Sequence, residues 1–150
     1  MKTLHAVLAS DGSRGALNAA EWLAQHFDPD TLKVTVATVE HIDLPAFMEP
    51  SAPDAYEALL KEAQDRGRRQ AERALEETVQ RLAAFSPATV VLNGPPVEAI
   101  LRYVDQHRPD FVVMGRRGHT LLQSLLIGSV SLGVLQRASV PVLVVEPRAE

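Results

Sequence analysis

Five short apolar runs, each divided from the next by residues at helical spacing, restrict this chain more than any other feature. They are Leu4 to Ala9, Leu32 to Val39, Thr89 to Leu92, Phe111 to Met114 and Val142 to Val145. Runs of this length, bounded by Gly, Pro, Asp and Asn, read as strands. Between the first two, Ala16, Leu17, Ala20, Leu23 and Ala24 trace one stripe of a helix that Ser13 can cap and that runs to about His26. The second run is apolar on both faces toward its end, which suits an interior parallel strand. From Asp54, a good N-cap, to about Ala84 the residues are strong helix formers. Tyr56, Leu59, Leu60, Ala63, Gly67, Ala71, Ala74, Leu75, Val79 and Leu82 form the stripe of this one long helix. The turn Asn93-Gly94-Pro95-Pro96 opens a helix with Val97, Ile100, Leu101 and Val104 on its apolar face, running to about His107. A last helix, from about Ser129 to Arg137, is expected to bury Val130, Val134 and Leu135. Gly133 inside it costs about 1 kcal/mol relative to alanine unless close packing requires it. Strands alternating with helices imply a parallel sheet covered by helices on both faces.

The chain has 150 residues, 46% hydrophobic and 23% charged, enough for one domain with a substantial core. A formal net charge of -4 argues against nucleic acid or an anionic membrane as the main partner. Any polyanion must be gripped locally. Cysteine is absent, which excludes disulfides, thiolate nucleophiles and Cys-based metal sites. The apolar runs are too short to span a bilayer and the first leads straight from Met1-Lys2 into a strand, so the expected location is the cytoplasm.

Open parallel sheets bind ligands beyond the carboxyl ends of their strands, where the strand order reverses. Two loops carry suitable chemistry there: Ser10-Asp11-Gly12-Ser13 after the first strand, and the segment after the fourth. If the two strands are neighbours, both loops face one crevice. In the second loop Gly115 is followed after two residues by Gly118 and after nine more by Gly128-Ser129. Glycine allows backbone N–H groups close to a ligand, and a helix start adds unpaired donors with the positive end of the macrodipole. That chemistry suits phosphate. A P-loop is excluded because the segment has no lysine, and G-x-G-x-x-G is absent. The plainer alternative is that Gly115 and Gly118 make a turn and Gly128-Ser129 only begins a helix.

Asp11 can sit beside a divalent ion or close an Asx-turn, two roles that are compatible. Arg116 and Arg117 can pair with phosphate or serve as solubilising surface charges. His119 has no carboxylate or serine at a distance that would orient it, and the other histidines lack metal-ligand spacing. Arg66, Arg68, Arg69, Arg73 and Arg81 alternate with Glu62, Glu72, Glu76 and Glu77 on the long helix, which reads as a solvated, salt-bridged face. The proline-rich stretch from Glu40 to Pro53, with Phe47 and Met48, reads either as a loop that folds over a ligand or as a connector.

VLASDGS at the start, Val39, Gly94-x-Pro96, DFVVMGRRG, LIGSVS and the closing VPVLVVEP together resemble the universal stress protein family, in its ATP-binding branch, over nearly the whole chain. The resemblance implies a single-domain, Rossmann-like open parallel sheet of five strands in the order 3-2-1-4-5. It also implies ATP, or AMP or ADP, with Mg2+ or Mn2+ held mainly by the phosphates. Backbone groups of Gly115, Gly118, Gly128 and Ser129, with the Ser129 and Ser131 hydroxyls, would hold the triphosphate. Val39 would contact adenine, and Ala9, Ser10 and Asp11 would line the ribose and phosphate side with Asp11 near the metal. Met114, Arg117 and Val130 complete the implied site. The last strand, Val142 to Val145, would pair across a homodimer. The implied role is in stress response or signalling, with no catalytic residue assigned. Ser10-Asp11-Gly12-Ser13 matches neither the Ser-Gly-Gly-x-Asp-Ser loop nor the His-x-Gly-His pair of related enzymes, so the alternatives are slow ATP hydrolysis or a nucleotide-free interaction module.

Overall fold

A computed structural model of the chain describes residues 2–44, 53–116 and 127–146. The elements follow in the order β1 (Leu4–Ala9), α1 (Arg14–His26), β2 (Leu32–Glu40), α2 (Pro53–Arg81), a 3-10 turn (Ala83–Phe85), β3 (Ala88–Asn93), α3 (Pro96–His107), β4 (Phe111–Gly115), α4 (Ser129–Arg137) and β5 (Val142–Val145). The five strands form one parallel sheet ordered β3-β2-β1-β4-β5. Chain order reverses between β1 and β4, whose ends are in register, Ala9 opposite Met114.

Strand alternation divides the core in two. On one face Leu8, Val36 and Val113 pack with Leu23 of α1 and with Leu82, just past α2. On the other Ala9, Val112 and Met114 pack with Ile100 and Val104 of α3 and Val134 of α4. β2 lies between two strands and is buried from Val34 to Thr38, as its two-sided apolar pattern requires.

The helices depart from the expected stripes at definite places. α1 buries Ala16, Ala19, Ala20 and Leu23, and Ala24 is exposed. Gly67 of α2 faces His41, one residue past the end of β2, so the turns before Ala63 overhang the sheet and leave Tyr56 and Leu59 exposed. Thr78, absent from the apolar stripe, is fully buried beside Ala71 and Ala74. In α4, Leu135 is exposed, Val130 is half-buried and Ser131 is buried with Val134. Gly133 has the close packing that justifies it: a Cβ there would lie 2.8 Å from Val97 Cγ2 of α3. Of the proline-rich stretch, Glu40 belongs to β2 and Pro53 to α2, while 45–52 lie outside the described residues. Among the described residues no helix is long and apolar enough to cross a membrane.

Candidate functional site

A crevice of about 680 Å3 opens at the carboxyl ends of β1 and β4. Its apolar lining includes Ala9 of β1, Val39 of β2, Ile100 of α3 and Met114 of β4. The loop after β1 and the first turn of α4 both line it. A hollow of this size, mostly apolar with a few converging polar groups, is typical of small-molecule sites.

The loop after β1 is held by three local devices. Asp11 Oδ1 accepts the Ser13 N–H at 2.9 Å, which is an Asx-turn, and the Asp11 side chain remains on the wall of the crevice. Ser13 caps α1 by accepting the Ala16 N–H at 3.3 Å. Gly12 has φ +75°, and a Cβ there would meet the Ala74 Cβ at 3.0 Å, so only glycine fits both the backbone conformation and the gap.

Ser10 is almost fully buried and joins this loop to α2. Thr78 Oγ1 is 2.6 Å from the Ala74 carbonyl, which can only accept, so the Thr78 proton goes there. At 2.7 Å from Thr78 Oγ1, the Ser10 hydroxyl then donates to it and accepts from the Gly12 N–H at 3.2 Å. Ser10 thus acts mainly as a fastener of the loop.

α4 presents its N-terminus to the same hollow. Its first i→i−4 bond runs from the Leu132 N–H to the Gly128 carbonyl, so the amides of Ser129, Val130 and Ser131 precede the helical ladder. The positive end of the helix macrodipole lies with them. Gly128 is the N-cap, and its own N–H donates to the Arg116 carbonyl at 2.7 Å. It therefore sets the start of the helix rather than offering that amide to a ligand. Ser131 Oγ donates to the Gly115 carbonyl at 2.8 Å, which spends its one proton on fastening α4 to β4. The Ser129 side of the turn is exposed.

Gly115 has a packing reason as well: a Cβ there would lie 2.5 Å from the Gly15 carbonyl carbon, inside the backbone of α1. Its lack of a side chain lets the end of β4 sit against the start of α1. Arg116 pairs with Glu146 beyond β5. Arg117, Gly118 and His119 lie outside the described residues. Ala9, Ser10, Asp11, Val39, Met114, Gly115, Gly128, Ser129, Val130 and Ser131 all line the one crevice.

Sequence reasoning missed the contribution of α2. Gln70, Arg73, Ala74 and Glu77 form a wall, and Thr78 stands behind it. The available signal was a polar residue, Thr78, at i+4 and i+7 from the stripe alanines Ala74 and Ala71. Among the described residues no group of three or more His, Cys, Asp or Glu gathers to hold a metal ion.

The model of the universal stress protein family matches residues 3–146. The universal stress protein MJ0531 of Methanocaldococcus jannaschii is 30% identical over 151 aligned residues, covering 96% of this chain and 83% of that one. The solved structure of the protein MJ0577 superposes with a TM-score of 0.79 at 22% identity, covering both chains completely. A universal stress protein solved in complex with cAMP gives a TM-score of 0.58 at 26% identity, covering 99% of this chain and all of the other. A universal stress protein family member from Arabidopsis thaliana, solved with AMP bound, gives 0.67 at 19% identity, covering 97% and 93%.

Proposed function

We propose, from the premise that this chain belongs to the universal stress protein family, that its crevice binds an adenine nucleotide, ATP with a divalent cation. One observation carries the reading: the first-turn amides of α4 and the loop bearing Asp11 line the same 680 Å3 hollow at the reversal of strand order. Polyphosphate lies at the N-terminus of α4, where unpaired N–H groups and the macrodipole favour anions. The adenine lies toward Val39 at the end of β2. Related proteins of this fold have been solved with AMP and with cAMP, which supports adenine as the base.

The residues present fit a magnesium or manganese nucleotide. A hard cation takes oxygen ligands, keeps several waters and needs one or two carboxylates beside the phosphates. Asp11 supplies one carboxylate on the crevice wall. The chain's role is then to bind: Ser129, Val130 and Ser131 hold phosphate oxygens through their amides, and the apolar floor orients the base. The protein works as a cytoplasmic homodimer in stress response or signalling, with its occupancy altering shape or partner choice.

Titration calorimetry with ATP and Mg2+, and with AMP, tests the reading. Saturable binding is expected from the intact protein, together with its loss in Gly128→Val, where a branched side chain enters at the mouth of α4. Absence of any heat at millimolar nucleotide refutes it.

A further inference from the structure

Beside the crevice, α2 and the tip of β2 enclose a second recess of about 280 Å3. The two share His41, Asp43, Gly67, Gln70 and Arg73, so they are continuous. A Cβ on Gly67 would lie 2.4 Å from the His41 carbonyl oxygen, and this close approach of helix to strand end sets the floor. Arg66, Arg69 and Arg73 line the recess at i, i+3 and i+7 of α2, a spacing that puts all three on one face.

The acids nearby are paired, two of them with residues of the recess itself. Glu62 lies 3.6 Å from Arg66, Asp65 goes to Arg68 at 3.7 Å, and Asp43 on the rim is held by His41 at 2.8 Å. Glu77 lines the neighbouring crevice, one turn beyond Arg73, without forming an ion pair with it. Among the described residues neither Arg69 nor Arg73 has an acidic partner, whereas Arg81, Arg116 and Arg137 each meet a glutamate. In a chain of net charge -4, two exposed guanidiniums at i and i+4 repel each other across the wall of the recess. The solvated face expected for the helix is present here, and what departs from the expectation is that Arg69 and Arg73 lack an acidic partner among the described residues.

We propose that the recess is an anion subsite that takes a phosphoryl group between Arg69 and Arg73. A guanidinium offers two parallel N–H donors to phosphate oxygens, and two or three such groups converging on one recess hold the ion more tightly than a single one does. Its charge arrangement stands without the nucleotide reading. The phosphoryl group is that of a free phosphate-class ion, because the recess adjoins the β2 end of the crevice, where the proposed nucleotide has its base and not its phosphates.

Calorimetry with inorganic pyrophosphate, on the wild type and on Arg69→Glu, is the test. Arg69 lines the recess and not the crevice, and arginine and glutamate have similar helix propensities, so the variant is expected to fold, which circular dichroism checks. Wild-type protein should bind pyrophosphate, with affinity falling roughly tenfold or more in Arg69→Glu, as loss of a bidentate charged pair implies. Persistence of pyrophosphate binding when AMP saturates the protein identifies a separate ion. A loss of affinity for ATP but not AMP in Arg69→Glu instead puts the nucleotide's own phosphates in the recess and overturns the separate ion. No binding of millimolar pyrophosphate by the wild type, equal binding by Arg69→Glu, or loss in Gly128→Val instead overturns the subsite. If AMP and ATP fail to bind while pyrophosphate binds and depends on Arg69, the nucleotide reading falls and the subsite stands.

Discussion

Thr78 decides more about the crevice than its place in a helix suggests. It is fully buried, relays a hydrogen bond from Ser10 to the Ala74 carbonyl, and touches no part of the hollow itself. Thr78→Val keeps the shape and removes the acceptor, leaving the buried Ser10 proton unpaired. Such a group costs about 1 to 3 kcal/mol, so urea unfolding should show a loss in that range, accompanied by weaker nucleotide binding as the Ser10–Gly12 loop loosens. An unchanged urea midpoint would mean that Ser10 finds another partner. At the opposite end of the sheet, His5 gives the stability a pH dependence of calculable sign. Its pKa is lowered, chiefly by burial, against the opposing pull of Asp110. The folded chain therefore binds its proton less readily than the unfolded one, so this contribution is complete above about pH 6.5 and is lost as pH falls toward the folded value. The Lys2 ammonium and the His5 N–H hold the half-buried Asp110 carboxyl below its ordinary value, and that contribution disappears only at still lower pH. Thermal melts from pH 7.5 to 5 should show a falling midpoint in the wild type and a flatter one in His5→Gln, whose amide can still reach Thr35. Equal slopes would remove His5 as the cause.

Between elements, the contacts that position the site run through glycines, and each can be probed by adding one carbon. Gly133→Ala gains about 1 kcal/mol of helix propensity but drives a methyl to 2.8 Å from Val97 Cγ2, and a β-branched side chain has little rotamer freedom to yield. Overpacking costs about 1 to 3 kcal/mol, so the variant should be neutral to destabilised by about 2 kcal/mol. In a Val97→Ala background the same change should become stabilising, and a double-mutant cycle by urea unfolding reads the difference. Additivity of the two would show that α3 and α4 do not meet there. These glycines also mark the limit of what was legible beforehand. Apolar alternation places every strand and helix to within a few residues, because period and length depend on neighbours along the chain. The reason for a particular glycine depends on what faces it across space. Gly115 reads from spacing as a bared amide, and its missing Cβ also admits the backbone of Gly15. Gly128 reads the same way, yet its N–H closes onto Arg116. The two loops of the crevice were visible because turn-forming residues interrupt strand patterns at Ser10 and Gly115. Gln70, Arg73 and Thr78 were not, since nothing in a helical sequence says which turn lies beside which strand end. Leu135 was misplaced for a similar reason: α4 is short, and the residue that fastens it inward is polar Ser131.

At the scale of the whole molecule the open question is what covers the sheet. Among the described residues the edges β3 and β5 have no outer strand neighbour, and an uncovered edge is a template for pairing. Val142 to Val145 is short and apolar, and its first three residues are only partly buried. Leu132 and Leu135 of α4, the helix that leads into β5, are exposed. These features support the proposed homodimer. The ladder also shows how to test it without harming the protomer. The carbonyls of Pro141 and Val145 accept from Val112 and Arg116 on the β4 side. Because successive backbone groups alternate in direction along a strand, Leu143 faces β4 too, while Val142 and Val144 direct their N–H groups outward. Proline is tolerated on an edge strand where its missing N–H would have faced away from the sheet. Val144→Pro should therefore leave the β4–β5 ladder and the monomer's circular dichroism intact while removing an outward donor from the centre of the pairing edge. Light scattering is expected to give twice the 16.4 kDa chain mass for the wild type and the single mass for Val144→Pro. A variant that stays dimeric would place the contact elsewhere, and a wild type that remains monomeric at high concentration would leave the β5 edge to a different partner.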